Sequence, residues 1–176
     1  MSKIKVTPIN EESHFGENEI IVSKTDLKGH ITYANDVFCR MAELTTSQCL
    51  GEAHSIIRHP DMPRAVFHLL WDTLAAGNEI FAYVKNMTMS GKYYWVFAHV
   101  TPSYNSSGKV IGYHSNRRKP SPAVIAKVEP IYRQLLQIEN SHSNKKEGMK
   151  ASVAALGKIL EDAGVTYDQF VWSLEG

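Results

Sequence analysis

Apolar and polar positions alternate with a period of two in five parts of the chain and follow a helical period in most of the rest. The period-two runs predict strands at 19–23, 30–34, 79–88, 92–102 and 109–117. Between the second and third runs, short helical pieces precede a longer predicted helix that begins at Pro63 and is ended by Gly77. One antiparallel sheet with short helices on one face satisfies this order, so the sequence predicts an α+β fold.

Beyond the last predicted strand, the pattern changes to helices alone. Pro120 and Pro122 mark the boundary, and the first amphipathic helix after it contains Pro130, which should kink that helix or start it. A second helix is predicted at 148–163. At the other end, the polar N-terminus has no periodicity and predicts a mobile segment. These features divide the chain into an N-terminal cap at 1–18, a central domain at 19–119 and a C-terminal helical extension at 120–176.

Composition narrows the classes of function. A net charge of +1 provides no strong field to attract nucleic acid, and the short basic run at 117–119 is interpreted as a solvated strand end. No apolar run approaches the ~20 residues of a membrane span, and no apolar signal-peptide core precedes the domain. Cys39 and Cys49 fit a reducing compartment and are interpreted as small core residues. A cytoplasmic protein without a membrane span or a nucleic-acid partner is expected.

One short segment concentrates side chains that bind ligands. Arg58, His59 and Asp61 place a cation, an imidazole and a carboxylate in a turn that two prolines stiffen. Such a turn at a helix start can bind a ligand, because free N–H groups there favour anions. The alternative is a local salt bridge between Arg58 and Asp61 that only holds the turn. No nucleophile elbow, phosphate-cradling loop or kinase signature accompanies it, so an enzyme is not expected.

Several separated motifs, taken in order, resemble the flavin-binding PAS domain of the aerotaxis-receptor family over about residues 19–119. The motifs lie at 26–35, 58–63, 67–71, 84–86, 93–96 and 112–117. The combination of RHPDMP at 58–63 with VKN and YYWV further along the chain is specific for this family, whereas the first and last motifs occur in many PAS domains. The chain departs from the family at Ile80, at Met87–Met89 and at His99, where relatives often have an aromatic residue, basic residues and an asparagine. These departures concern ring stacking and phosphate contacts more than flavin binding itself.

The resemblance implies a PAS fold with a five-stranded antiparallel sheet and an FAD cofactor whose redox state is the signal. It implies a cytoplasmic redox or energy sensor for aerotaxis that reports by protein–protein contact. Membrane aerotaxis receptors continue into a membrane anchor, whereas this chain ends in a short helical tail. The expected partner is therefore a separate membrane chemotaxis transducer or a receptor signalling domain.

The resemblance also implies a set of cofactor-binding side chains: Asn35, Arg58, His59, Asp61, Phe67, Trp71, Asn86, Trp95 and His99. Asn86 is the expected switch, because an amide can donate or accept when a flavin nitrogen gains a proton. Other roles stay open for three of these residues. Asn35 fits a helix N-cap, Trp71 fits core packing, and Trp95 fits the outer face of the sheet under a helical cover.

Two other functions stay open. A PAS dimerisation module would carry haem, another small molecule or no ligand, and would form a homodimer through apolar residues of the terminal helices: Val153, Leu156, Ile159, Leu160, Phe170 and Trp172. A flavin enzyme is disfavoured because no acid–base pair is placed for chemistry. Flavin–cysteine photochemistry is disfavoured because RHPDMP stands where that chemistry needs a cysteine. No metal site is expected, since no pair of histidines has metal-ligand spacing.

Overall fold

A computed structural model describes residues 6–175 and shows one five-stranded antiparallel sheet. Its strands are β1 Ile21–Thr25, β2 Ile31–Ala34, β3 Ile80–Met87, β4 Tyr93–Tyr104 and β5 Val110–Arg118. They lie in the order β2-β1-β5-β4-β3, so the two ends of the central domain meet in the middle of the sheet. All five predicted strands are present, and the predicted α+β architecture is confirmed.

Between residues 6 and 175, six α-helices and one 3-10 turn accompany the sheet. They are α1 Asp36–Ala42, α2 Thr46–Cys49, the 3-10 turn His54–Ile57, α3 Arg64–Ala75, α4 Pro122–Asn140, α5 Lys145–Ala163 and α6 Tyr167–Ser173. Side chains cap most of their N-termini: Thr45 and Thr166 form capping boxes, and Ser121 caps α4. The first residue of α4 is Pro122, so Pro130 lies inside this helix and does not start it. The second tail helix begins earlier than predicted, because the Asn144 side chain accepts hydrogen bonds from two N–H groups of the first turn.

The two faces of the sheet have different neighbours. The short helices and α3 cover the inner face, where apolar side chains such as Ile21, Val96 and Leu74 form the core. The outer face is covered by the C-terminal extension near β3 and β4. Strand side chains alternate between the two faces, so each strand residue is assigned to one or the other by its position.

The C-terminal extension packs against the domain. The helix α5 lies against α3 and α4, and α6 lies against β3. Trp172 of α6 meets the rings of Phe81 and Phe97 on the outer face, and the Tyr132 hydroxyl of α4 donates a 2.8 Å hydrogen bond to the Tyr83 carbonyl oxygen.

Most of the apolar residues considered for a dimer contact pack against the core of the same chain. Leu156 is buried, and Ile159, Leu160 and Phe170 pack against the same core. Because these side chains already have intramolecular partners, the surface that the dimerisation alternative required is largely used within one chain. Val153 is half-buried.

The N-terminal segment lies along the β3–β4 hairpin from residue 6 onwards. The Ile9 N–H donates to the Gly91 carbonyl oxygen at 2.9 Å, and the Tyr93 N–H donates to the Glu11 carbonyl oxygen at 2.9 Å. Phe15 is buried in the core. This part of the predicted mobile cap is therefore paired with the domain, while residues 1–5 of that prediction lie outside the described residues. Over residues 6–175, no helix combines the length and apolar character needed to cross a bilayer.

Candidate functional site

A cavity of about 150 Å³, open to solvent on one side, lies between the inner face of the sheet and α3. Its lining comes from four strands, the 3-10 turn and α3: Ser23, Thr25, His54, Ser55, Arg58, Phe67, Leu70, Trp71, Val84, Asn86, Ala98, Val100, Tyr113, Ser115 and Arg117.

The walls of the cavity are mainly apolar. Leu70 of α3 faces Val84, Ala98 and Val100 of the sheet across the cavity, and small side chains on the strands keep the space open. Trp71 stands at the rim, where it is 42% exposed and meets the Tyr113 ring edge-on at 5.5 Å. Its position excludes the core-packing role that the sequence left open. These walls would admit a flat aromatic ligand.

Unpaired polar atoms are concentrated in the same cavity. Within the described part of the chain, Thr25 Oγ1, Asn86 Nδ2, Ser115 Oγ and Arg117 Nη1 are buried without a hydrogen-bond partner, and all four residues line the cavity. Buried polar groups in folded proteins are almost always paired, because an unpaired one loses its bonds to water. A ligand with several acceptor and donor atoms along its edge would satisfy them.

Asn86 joins the cavity to the RHPDMP turn. It is 3% exposed, its side chain faces the cavity from β3, and its backbone forms an antiparallel bridge with Arg58. The Arg58 guanidinium stacks on the Phe67 ring at 4.1 Å and donates to the Met62 carbonyl oxygen at 3.1 Å. Burial lowers the pKa of Arg58. Arg58, Phe67, Trp71 and Asn86 are thus brought together as the sequence predicted.

His59 and Asp61 lie outside the cavity lining. The His59 ring is buried, its Nδ1 accepts from the Asp61 N–H at 3.1 Å, and burial lowers the pKa of His59. The Asp61 carboxylate contacts Lys85 Nζ at 2.8 Å, and the same ammonium lies 3.7 Å from Glu129 of α4. The local salt bridge considered between Arg58 and Asp61 is replaced by this longer-range pair, which ties the turn to β3 and to the extension.

Asn35, Trp95 and His99 also lie away from the cavity. The Asn35 amide caps α1 by accepting from the Phe38 N–H at 3.0 Å, and it accepts from the Val22 N–H at the same distance. Its N-cap role is therefore the one observed.

Trp95 and His99 face outward because they occupy odd positions of β4, whereas Ala98 and Val100 face inward. The Trp95 ring lies 6.1 Å from Tyr132 of α4, and His99 Nε2 contacts Glu79 at 2.6 Å. The alternative outward position for Trp95 is the one the structure shows.

Sequence reasoning missed the polar floor of the cavity. Arg117 was interpreted as a solvated strand end, but it is 4% exposed and lines the cavity with Ser115. The signal was present in the alternation, since Tyr113, Ser115 and Arg117 share one face of β5. Arg118, one residue further, is exposed on the opposite face and fits the original interpretation.

Arg117 is held by two neutral acceptors. Its Nη2 donates to Ser23 Oγ at 2.9 Å and to His54 Nε2 at 2.6 Å. Burial, with the adjacent guanidinium, lowers the pKa of His54 to about 3, so its ring is neutral and can accept this bond. Burial also lowers the pKa of Arg117 to about 10, which leaves it charged at neutral pH. Among residues 6–175, no group of three or more His, Cys, Asp or Glu side chains is placed to hold a metal ion.

Comparison with known proteins identifies the domain. Residues 31–117 match the family described as PAS fold. The aerotaxis receptor of Escherichia coli strain K12 is 38% identical over 149 residues, which is 85% of this chain and 29% of the receptor. The nitrogen fixation regulatory protein of Klebsiella pneumoniae is 28% identical over 99 residues, which is 56% of this chain and 20% of that protein. The chain thus spans less than a third of the curated relatives it matches.

Solved structures show the same fold. The dark structure of the blue-light photoreceptor Aureochrome1 LOV superposes with a TM-score of 0.53 at 21% identity, covering 68% of this chain and 86% of that one. A second structure comes from work on a flavin analogue and the mechanism of a light-oxygen-voltage domain. It superposes with a TM-score of 0.54 at 19% identity, covering 70% of this chain and 87% of that one. The superposed fold and the matched sequence lead to one conclusion: the chain carries a PAS sensor domain similar to that of the aerotaxis receptor.

Proposed function

We propose that this chain is a cytoplasmic redox sensor that binds FAD in the cavity between α3 and the sheet. It would report the redox state of the flavin to a membrane chemotaxis transducer or a receptor signalling domain through protein–protein contact. The observation that carries the proposal is the cavity itself. It combines apolar walls with four polar side chains that each have a buried atom without a partner among the described residues.

The residues present fit a flavin ring. Phe67, Leu70 and Trp71 offer one apolar wall from α3, and Val84 and Ala98 offer the other from the sheet. When bound, a flavin supplies reversible electron transfer and ring nitrogens whose protonation changes on reduction. The flavin edge has carbonyl and imide groups, so it would pair with the polar atoms that otherwise stay unsatisfied.

Two side chains have distinct roles in this proposal. Asn86 Nδ2 has no partner among the described residues, so the amide is free to donate to a ring acceptor, and a rotation of the amide would exchange donor for acceptor. Arg58 lies at the cavity wall with its guanidinium over Phe67, and a guanidinium binds phosphate or carbonyl oxygens bidentately.

A route from the cavity to the surface follows from these contacts. The backbone of Asn86 bridges to Arg58, and the neighbouring Lys85 contacts Asp61 and Glu129. A change of pairing at the Asn86 amide would therefore move β3 and the turn together, and α4 with them. Only a few kcal/mol of differential binding is needed to shift such an equilibrium.

The relatives support the proposal at two levels. The aerotaxis receptor shares sequence over most of this chain, which favours aerotaxis signalling and a chemotaxis partner. The light-oxygen-voltage structures share only the fold at this level of identity, so the case for flavin rests on the cavity.

Titration of FAD into ligand-free protein tests the proposal, with FMN in parallel to separate the two flavins. We expect saturable FAD binding that quenches tryptophan fluorescence, because Trp71 stands at the rim. Asn86→Ala should weaken binding about tenfold, which corresponds to one hydrogen bond of about 1.4 kcal/mol. Trp71→Ala should weaken it as well.

Trp172→Ala is the matched control, since Trp172 is exposed to a similar extent (49%) but lies on the outer face. It should leave FAD affinity unchanged. Folded wild-type protein that takes up neither FAD nor FMN would contradict the proposal. Equal losses in the Trp71 and Trp172 variants would place the ligand elsewhere.

A further inference from the structure

Within residues 6–175, the buried guanidinium of Arg117 forms no ion pair with a carboxylate. It sits at the cavity end of β5 and is 4% exposed. Its hydrogen bonds go to Ser23 Oγ and His54 Nε2, which are both neutral, and its Nη1 has no partner among residues 6–175. Burial lowers the pKa of Arg117, the Tyr94 hydroxyl partly offsets this effect, and no Asp or Glu of residues 6–175 acts on it measurably.

This arrangement is costly for the ligand-free protein. A buried charge normally has an oppositely charged partner, because removal from water is not otherwise compensated. The other arginine of the cavity differs in this respect: burial lowers the pKa of Arg58, but the Glu139 carboxylate partly offsets this effect. Both guanidinium groups lie over aromatic rings, Arg58 over Phe67 at 4.1 Å and Arg117 over Phe38 at 5.7 Å. Arg117 is therefore the cavity cation whose compensation must come from outside the described residues.

We propose that Arg117 is the anion-binding residue of the cavity and makes it prefer the negatively charged form of its ligand. Ser23 and His54 are positioning residues, since they hold Nη2 and leave Nη1 directed to the cavity. The identity of the ligand rests on the proposed function. For a flavin, addition of two electrons and one proton to the neutral ring leaves one net negative charge on the ring. The guanidinium stabilises that charge, so the reduced form binds more tightly than the oxidised form.

The potential of bound flavin tests this preference. FAD-loaded wild type, Arg117→Met and Arg117→Lys are reduced stepwise with dithionite beside a dye of known potential. We expect Arg117→Met to lower the ratio of the affinity for reduced FAD to that for oxidised FAD at least tenfold. For a two-electron couple, this change lowers the reduction potential of the bound flavin by about 30 mV. Arg117→Lys keeps the charge and should stay within about threefold of wild type, a smaller shift on the same scale.

Arg118→Met is the matched control, because it removes the same charge from the next residue on the opposite, exposed face. Its potential should equal that of wild type. An Arg117→Met protein that binds FAD with the wild-type potential would overturn the proposal, as would an equal shift in the Arg118 variant.

Thermal unfolding of the ligand-free proteins provides a readout that does not depend on flavin. In Arg117→Met the Ser23 hydroxyl and His54 Nε2 can still pair, since they lie 3.2 Å apart. The uncompensated charge is gone, so the variant should melt at the same temperature as wild type or higher. A lower melting temperature would show that Arg117 serves the fold, and would overturn the proposal. If wild type binds no flavin, the proposed function fails, and the melting comparison still decides the role of Arg117.

Discussion

Glu139 joins the C-terminal extension to the helix that lines the cavity. The first turn of α3 has no side-chain cap from Pro63, but Glu139 Oε1 of α4 accepts a hydrogen bond from the Ala65 N–H at 3.0 Å. Both residues are buried. Glu139→Ala would therefore leave a helix N–H unpaired where water does not reach it.

The cost of this substitution can be estimated from the contact it removes. Loss of a helix cap costs about 0.5–2 kcal/mol, and an unsatisfied buried donor costs about 1–3 kcal/mol. Because both terms describe the same N–H group, we expect about 2 kcal/mol in the free energy of unfolding. For a chain of this length, 1 kcal/mol changes the melting temperature by about 2–4 °C. Glu139→Ala should therefore lower it by about 4–8 °C.

Circular dichroism melts of three variants measure this effect. Glu139→Gln keeps an oxygen acceptor and should recover at least half of the loss. Glu161→Ala removes an exposed carboxylate from α5 and should leave the melting temperature unchanged. A Glu139→Ala protein with the same melting temperature as the Glu161→Ala protein would refute the coupling between α4 and α3.

Three further outcomes follow from buried or strained groups. The pKa of His54 falls from its ordinary value of 6.5 to about 3 in the folded chain. Below pH 6.5 the unfolded chain therefore binds a proton that the folded chain does not. The free energy of unfolding falls by up to about 1.4 kcal/mol per pH unit as pH falls from 6.5 towards 3. Urea unfolding at pH 7 and pH 5 should show a smaller acid loss in His54→Gln than in wild type, and an unchanged loss would refute the assignment. Burial raises the pKa of Cys49 to about 12, so iodoacetamide at pH 8 should spare this thiol until urea unfolds the chain, as mass spectrometry would show. Gly91 has φ +92, and a Cβ added there would lie 2.2 Å from the Thr7 carbonyl oxygen. Gly91→Ala should therefore lower the free energy of unfolding by about 1–3 kcal/mol and loosen the N-terminal segment. Gly108→Ala should lower it less, because Gly108 also has a positive φ but has open space around it.

The sheet and α3 were predictable because each has one buried face with a regular period. This regularity alone did not predict that Asn86, Phe67 and Trp71 would meet in one cavity, because periodicity assigns a residue to a face but does not identify the neighbouring element. That prediction depended on the family resemblance. His59 and Asp61 lie beside the cavity because the Asp61 carboxylate pairs with Lys85, and the His59 ring accepts a hydrogen bond from the Asp61 N–H. Lys85 is 24 residues away from Asp61 in sequence, and such pairings leave no local signal.

Arg117 and the C-terminal extension show where single-sequence reasoning stops. A basic residue in a basic run is typical of a solvent-exposed surface, and only its alternation with Tyr113 and Ser115 along β5 indicates that Arg117 faces inward. The apolar residues of the terminal helices indicated a contact surface. They did not show that Trp172 would cover Phe81 and Phe97 of the same chain, because a helical stripe carries no information on its partner.

The central claim is that the cavity beneath α3 binds FAD, and a visible absorption spectrum of the protein as purified, followed by heat extraction of the cofactor, tests it most directly. The account predicts a yellow protein whose flavin bands are bleached by dithionite, restored by air and released as stoichiometric FAD. A folded, colourless protein that stays colourless after incubation with excess FAD would contradict the claim, as would a spectrum with the Soret band of haem.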